Sequence, residues 1–373
     1  GAADSGGETT LQPVAPQPAK PAFLKGSMAA EFNRIIKAFV LAETKSIDPT
    51  ELYNVIKTHP FGAEFCDGGQ HDCQEVMRMI LDALHEDLNR AEKRPIEELP
   101  DPEEKGISEF EKAERSWQRY LNYDCSPITD LYAGQLQSRV TCHVCGSVAT
   151  TYEPFLDISL PISKDMIAKK GGLSGWFSSG EPTLEDCLRA FTTDETLAGD
   201  EAYMCETCKE PCPATKRLKV HRFPNNLIIH FKRFKVTTTG REKMNSLVAF
   251  PVQELRLHEL TTPESGYRKH DASYDLVALC NHTGTMLGGH YTSSCKVVDP
   301  DTSVPTWHTF NDANVTKLGP GNVVQHSAYI LFYTLRGEDT HKNRRRGRNK
   351  DKGGSLDKEK SMAAEKDSAP TKD

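Results

Sequence analysis

The chain predicts an α+β architecture in which helices come first and strands later. Apolar residues recur at helical spacing through the first third. From about residue 128, short runs of β-branched and aromatic residues, separated by turn residues, take over. Two Cys-x-x-Cys pairs set among those later runs point to a metal, not disulfides, as the staple of the second part.

Residues 28–42 and 48–58 have amphipathic helical patterns. Asp72-Cys73-Gln74-Glu75 reads as a capping box, with Asp72 at the N-cap and Glu75 at N3. The helix behind it carries Val76, Ile80, Leu84 and Leu88 at four-residue spacing, with Met77 and Leu81 beside them. Glu-rich residues 91–113 predict a surface helix or an excursion. Strands are expected around Gln135–Val140, Phe155–Leu160, Leu227–Phe231, Tyr274–Leu279 and Ala328–Tyr333. Residues 1–22 are Pro- and Gly-rich without periodicity, and residues 337–373 are highly charged without an aromatic, so both ends are expected to be disordered. Within the second, the basic cluster Lys342–Lys350 reads as a solvated tail or as a nuclear-import or nucleic-acid patch.

At 373 residues, 37% apolar and 27% charged, the chain can bury a sizeable core or two subdomains. A net charge of -7 disfavours nucleic acid as the partner. No run approaches the roughly 18–20 apolar residues of a membrane span, and no signal peptide is present, which predicts a cytoplasmic or nuclear protein. Eleven cysteines, an odd number, fit a reducing compartment. The first residue is Gly, not Met, so a preceding N-terminal portion is expected.

Cys142-His143-Val144-Cys145 and Cys205-Glu206-Thr207-Cys208 are two knuckles whose spacing lets each pair of thiolates grip one ion. Together Cys142, Cys145, Cys205 and Cys208 supply the four sulfurs of a closed tetrahedral zinc site, with Cys212 and His143 as lesser candidates. Four protein ligands leave no open position. The expected role is therefore to staple strands together.

Gly288-Gly289-His290-Tyr291-Thr292 is followed by Trp307-His308-Thr309-Phe310-Asn311-Asp312, and both stretches alternate like strands. A hairpin centred near Pro300 and Asp301 sets His290 directly opposite Asn311, with side chains starting roughly 5 Å apart. An imidazole oriented by a carboxamide or carboxylate is the base half of a Cys-His-Asn/Asp thiol-protease site. Asn311 is expected to accept from Nδ1–H, leaving Nε2 for a thiol. Gly288 and Gly289 suit a place where a peptide backbone passes close to the wall.

The chain resembles the ubiquitin-specific proteases, papain-like deubiquitinating enzymes, through blocks that follow the family's order. These are Gly69–Glu75, Glu153–Ile162, Pro182–Leu188, Phe223–Phe234, and Asn281–Gly284 running into Gly289-His290-Tyr291. The resemblance implies a papain-like hand fold over residues 23–336, with a helical thumb (23–127), then zinc-stapled β fingers and an antiparallel β palm (128–336). It implies thiol hydrolysis of the (iso)peptide bond after ubiquitin's C-terminal glycine, with ubiquitin and ubiquitinated proteins as partners. His290 would be the general base, Asn311 its orienting partner and Asp312 a second one. Gln70 and Asp72 would bind the ubiquitin tail, Asp72 facing an arginine there, with Gly289 and Tyr291 lining the same site.

One departure matters. The family's nucleophile sits in an Asn-x-Gly-Asn-Thr-Cys-type box, which is absent here; the first cysteine is Cys66. The expected nucleophile therefore lies outside this chain, which would be inactive alone. Cys73, at the start of a capped helix, and Cys295, five residues along the His290 strand and so on its other face, are weaker substitutes. The reading from a different class is a ubiquitin-binding scaffold without catalysis. A zinc-ribbon nucleic-acid binder is disfavoured by the acidity.

Overall fold

The computed structural model describes residues 25–41, 46–104, 106–162, 181–237, 240–265, 272–299 and 302–336. The ends expected to be disordered, and the basic cluster at 342–350, lie outside the described residues. The chain divides into two compact units, one made of residues up to 93 with 122–129, the other of 94–121 with 130 onward.

The first unit is helical: α1 (Ser27–Val40), α2 (Thr50–Thr58) and α3 (Cys73–Asp87). α1 begins after Gly26, which offers no side-chain cap, so the carboxylate of Asp87 takes over. It accepts the amides of Gly26 at 2.5 Å and Ala29 at 3.0 Å, meeting the positive helix end with a charge. α3 starts at Asp72 as expected, its Oδ1 accepting the amide of Gln74 at 2.8 Å. The buried face of α3 is Met79, Leu81, Ala83 and Leu84, whereas Leu88, expected to continue the apolar stripe, is the exposed C-cap. His85 ties the returning segment to α3, with Nδ1 2.8 Å from Ser126 Oγ and Nε2 3.1 Å from Asp124 Oδ1.

The second unit is dominated by strands. Over 91–113, expected to form a surface helix or an excursion, the described residues include a short 3-10 turn, Ile96–Glu98. α4 (Glu109–Leu121) begins near the end of that stretch. α4 lies on the strands, where Ser116 donates to the Tyr152 carbonyl at 2.9 Å and the Gln135 amide donates to the Ala113 carbonyl at 3.0 Å. After α5 (Pro127–Tyr132) come β1 (Gly134–Cys142), β2 (Val148–Phe155), β3 (Asp157–Pro161), α6 (Leu184–Phe191), β4 (Glu195–Leu197), β5 (Tyr203–Cys205), β6 (Glu210–Cys212), β7 (Ala214–Arg222) and β8 (Asn226–Lys232). The remainder is β9 (Phe234–Thr237), β10 (Gly240–Lys243), β11 (Leu255–Arg256), β12 (Ser273–Gly284), β13 (Gly289–Val298), β14 (Pro305–Asn311), β15 (Asn314–Leu318) and β16 (Ala328–Leu335).

β2-β1-β7-β4 form one antiparallel sheet, while β5-β6 and β9-β10 are separate ribbons. The large sheet runs β15-β14-β13-β12-β16-β8-β3, with β11 also pairing β12, and is antiparallel except for the β3–β8 pair. β8 shows why it sits inside: Leu227 to Phe231 are buried without alternation, which requires cover on both faces. Leu160, Leu184, Leu188, Tyr274, Leu276, Leu331 and Tyr333 build the same core. The five strands expected from sequence are all present, and the α+β class holds.

Candidate active site and metal centre

The two knuckles converge. Cys142 ends β1 and Cys205 ends β5, and the sulfurs of Cys142, Cys145, Cys205 and Cys208 all lie within 4.8 Å of one another. Cys145 and Cys205 are 3.7 Å apart, close to the edge of about 3.8 Å that Zn–S bonds of about 2.3 Å give a tetrahedron. The donor set therefore fits zinc of the structural, closed kind. Cys208 is pushed up, first by its hydrogen bond with Cys145 and then by burial.

Neither substitute ligand joins the cluster. His143 Nε2 is engaged 2.7 Å from Thr215 Oγ1, and Cys212, though buried beside the cluster, donates to the Glu210 carbonyl at 3.4 Å. Ser147 was not anticipated. Its hydroxyl lies 3.0 Å from the Cys145 sulfur and 3.4 Å from that of Cys205, and it is the first cause holding both thiols below their ordinary value. A hydroxyl two residues past a knuckle is the only sequence signal for such a support.

His290, Asn311 and Asp312 also come together. His290 Nε2–H donates to Asn311 Oδ1 at 2.7 Å, and Asp312 Oδ2 lies 3.7 Å from the same nitrogen. Two expectations need correction. The β13–β14 register pairs Ser293 with Phe310 and Val298 with Pro305, so the hairpin centre is shifted toward residue 302. Asn311 then stands level with Thr292, on the His290 face but diagonal to it. Consequently the far ring nitrogen, Nε2, reaches the amide, and it is Nδ1 that turns elsewhere. The ring is half-exposed, at the end of a strand. Asp312 opens the turn into β15 with φ 50, a left-handed conformation that a short carboxylate side chain tolerates.

Gly289 has an internal reason to be glycine. A Cβ there would meet His282 Nε2 at 2.1 Å and the Thr283 carbonyl at 2.5 Å, whereas one at Gly288 would meet nothing within 4 Å. Tyr291 packs its ring 4.7 Å from that of His282, in a cluster with Tyr329 and Phe234. Gln70, exposed, and Asp72, half-buried at the α3 cap, belong to the helical unit. Cys295 pairs with Ala278 and His308 on the sheet face away from His290, and burial raises its thiol. Cys73 is the first residue of α3.

The family description "Ubiquitin carboxyl-terminal hydrolase" matches residues 7–333. The chain belongs to the ubiquitin carboxyl-terminal hydrolase family. It is 36% identical over 319 residues to chicken ubiquitin carboxyl-terminal hydrolase 2, covering 84% of this chain and 81% of that protein. Human ubiquitin carboxyl-terminal hydrolase 2 is 35% identical over 83% of this chain and 47% of its own length. Human ubiquitin carboxyl-terminal hydrolase 21 is 34% identical over 79% and 50%. The chain thus spans about half of these human relatives. Among solved structures, the fold matches that of a SAGA DUB module with Ubp8 bound to monoubiquitin, at TM-score 0.58 and 21% identity over 84% of this chain and 60% of that one. A second such module, bound to ubiquitin aldehyde, matches at TM-score 0.57 and 23% identity, with the same coverage. The family is one of cysteine-type deubiquitinases, and the four-cysteine cluster sits in the β region of its mixed α+β fold. Among the described residues no helix is long and apolar enough to cross a membrane.

Proposed function

We propose that this chain carries the base and tail-binding residues of a deubiquitinating thiol hydrolase that cleaves the (iso)peptide bond after ubiquitin's C-terminal glycine. Its nucleophile is none of the chain's eleven cysteines. The observation that carries the reading is the 2.7 Å bond from His290 Nε2–H to Asn311 at a half-exposed strand end. A purely structural histidine has no need of an orienting amide on one nitrogen while the other faces away.

In the reaction, Nδ1 of His290 takes the thiol proton while Asn311 holds the Nε2–H tautomer. The thiolate attacks the glycine carbonyl, and the imidazolium returns its proton to the departing amine as the C–N bond breaks. Water, deprotonated by the same imidazole, then hydrolyses the thioester. Asp312 Oδ2, 3.7 Å from Nε2, is a second oxygen that orients the ring. Gln70 and Asp72 hold the extended ubiquitin tail, Asp72 facing an arginine there from the start of α3. Ubiquitin-bound relatives support ubiquitin as the partner.

The test is a ubiquitin probe with an electrophilic C-terminus. The 373-residue chain should bind ubiquitin and remain unlabelled, and labelling abolished by Cys73→Ala would overturn the assignment of the nucleophile. The second reading is a ubiquitin-binding scaffold without catalysis. Hydrolysis by the full-length protein, lost on His290→Ala, decides for the enzyme; binding without hydrolysis decides for the scaffold.

A further inference from the structure

His290 stands on an overhang. β12 pairs with β16 as far as Asn281, with one further bond from the His282 amide to the Ser327 carbonyl at 2.8 Å, and β13 pairs with β14 from Ser293 onward. Beyond those points the remaining ladder is the two-stranded stretch joining His282 to Tyr291, Thr283 to His290 and Gly284 to Gly289. Such an end frays unless something fixes it.

The His282 and Tyr291 rings of this end pack on Phe234 and Tyr329, and a lysine reaches the edge that β16 has left. Lys243, the last residue of β10, donates from Nζ to the carbonyls of His282 at 2.9 Å and Gly284 at 3.2 Å. These two carbonyls bracket Thr283, the residue paired with His290, whose hydroxyl also donates to the His290 carbonyl at 3.3 Å. An ammonium has three donors and no acceptor, so it can substitute for the missing strand's amides. Gly284, at φ 112, closes the turn against Gly288 so tightly that a Cβ would meet its carbonyl at 2.6 Å; fixing Gly284 therefore fixes Gly289.

Lys243 is itself seated. Next to it, the Met244 amide donates to the Arg233 carbonyl at 2.7 Å. The fully buried Arg233 side chain donates to Met244 and Ser246, each at 2.9 Å, and to Ala328 at 2.7 Å. Burial first, and then the Arg233 charge, hold Lys243 below the ordinary lysine value. The ammonium occupies this unfavourable place with two carbonyls as its compensation.

We propose that Lys243 is a positioning residue for His290, acting through the carbonyls of His282 and Gly284 to hold the strand end at which the imidazole meets Asn311. The catalytic meaning rests on His290 being the base of the hydrolase proposed above, but the test reads the imidazole directly and needs no hydrolysis, so the two readings fail separately. In protein labelled with 15N-histidine, the ring-nitrogen shifts of His290 report which nitrogen carries the proton, with Asn311→Ala supplying the assignment and the reference for a lost bond. Lys243→Met keeps the stem and removes the ammonium. It should shift the His290 ring nitrogens toward the averaged-tautomer values of Asn311→Ala, while zinc content and the melting temperature stay near wild type. Lys243→Arg should restore the wild-type shifts. Unchanged His290 shifts in Lys243→Met would overturn the proposal. So would loss of zinc and of cooperative melting in both variants, because the cation would then hold the sheet as a whole and not its end.

Discussion

Removing the metal from the four-cysteine cluster should open the β5–β6 ribbon and leave the large sheet standing. Among the described residues, the small core there consists of Cys142, Cys205 and Cys212, with only Tyr203 and Cys208 packed against it. β5 and β6 are three residues each, and a two-stranded ribbon without an apolar face is marginal in water. Structural zinc supplies an apparent stabilisation of about 10–16 kcal/mol in small peptides, which here exceeds anything the ribbon can offer. The large sheet has its own support: Leu227, Ile229, Phe231, Leu331 and Tyr333 are fully buried, and burying a large apolar side chain contributes roughly 1.5–3 kcal/mol. Cys205→Ser replaces one of four sulfurs with a weak oxygen donor and should lower zinc affinity at least about 100-fold, or about 2.7 kcal/mol. Chromophoric zinc titration reads the affinity, and hydrogen-exchange mass spectrometry reads the structure. Peptides spanning 142–147 and 203–212 should lose protection on chelation, while those spanning 226–232 and 273–284 keep theirs. Protection of 203–212 that survives complete zinc removal would refute the reasoning.

In an active hydrolase containing this chain, Asn311→Ala should lower kcat/KM about 100-fold. Asp312→Ala should cost less than about tenfold, since its carboxylate is 3.7 Å away and 77% exposed. His221 is buried with Nδ1 3.0 Å from Thr262 Oγ1; burial first, then the Arg222 charge, lowers it to about 4. Because the folded value lies below the ordinary 6.5, its contribution is complete above that pH. As pH falls toward about 4 the unfolded chain takes up the proton first, and up to about 3 kcal/mol is lost. His221→Phe should flatten this part of the stability-versus-pH curve in denaturant titrations. Thr183 caps α6 through a reciprocal pair, its Oγ1 accepting the Asp186 amide at 3.2 Å while Asp186 Oδ2 accepts the Thr183 amide at 2.9 Å. Thr183→Ala should cost about 1 kcal/mol in the same titrations.

Local chemistry made much of this protein legible without coordinates. A knuckle is a contact between residues three apart, so Cys142 with Cys145 and Cys205 with Cys208 announce themselves. The Asp72 cap and the unbroken apolar run of β8 do so for the same reason: each depends on near neighbours and a fixed period. The pairing of His290 with Asn311 was legible too, as both flank one hairpin. Its ring nitrogen was not, because a shift in the turn moved the register and left the amide diagonal to the imidazole.

What the tertiary structure alone decided are contacts between residues far apart in the chain. Asp87 capping α1, α4 lying on β2, His282 beneath Gly289, and Lys243 bridging two carbonyls some forty residues away leave no periodic trace in the sequence. Composition and spacing specify which segments become helices, strands and knuckles. Which backbone groups remain without a strand partner, and which distant cation or carboxylate meets them, is fixed only when the sheets have closed and the orphaned donors and acceptors are known.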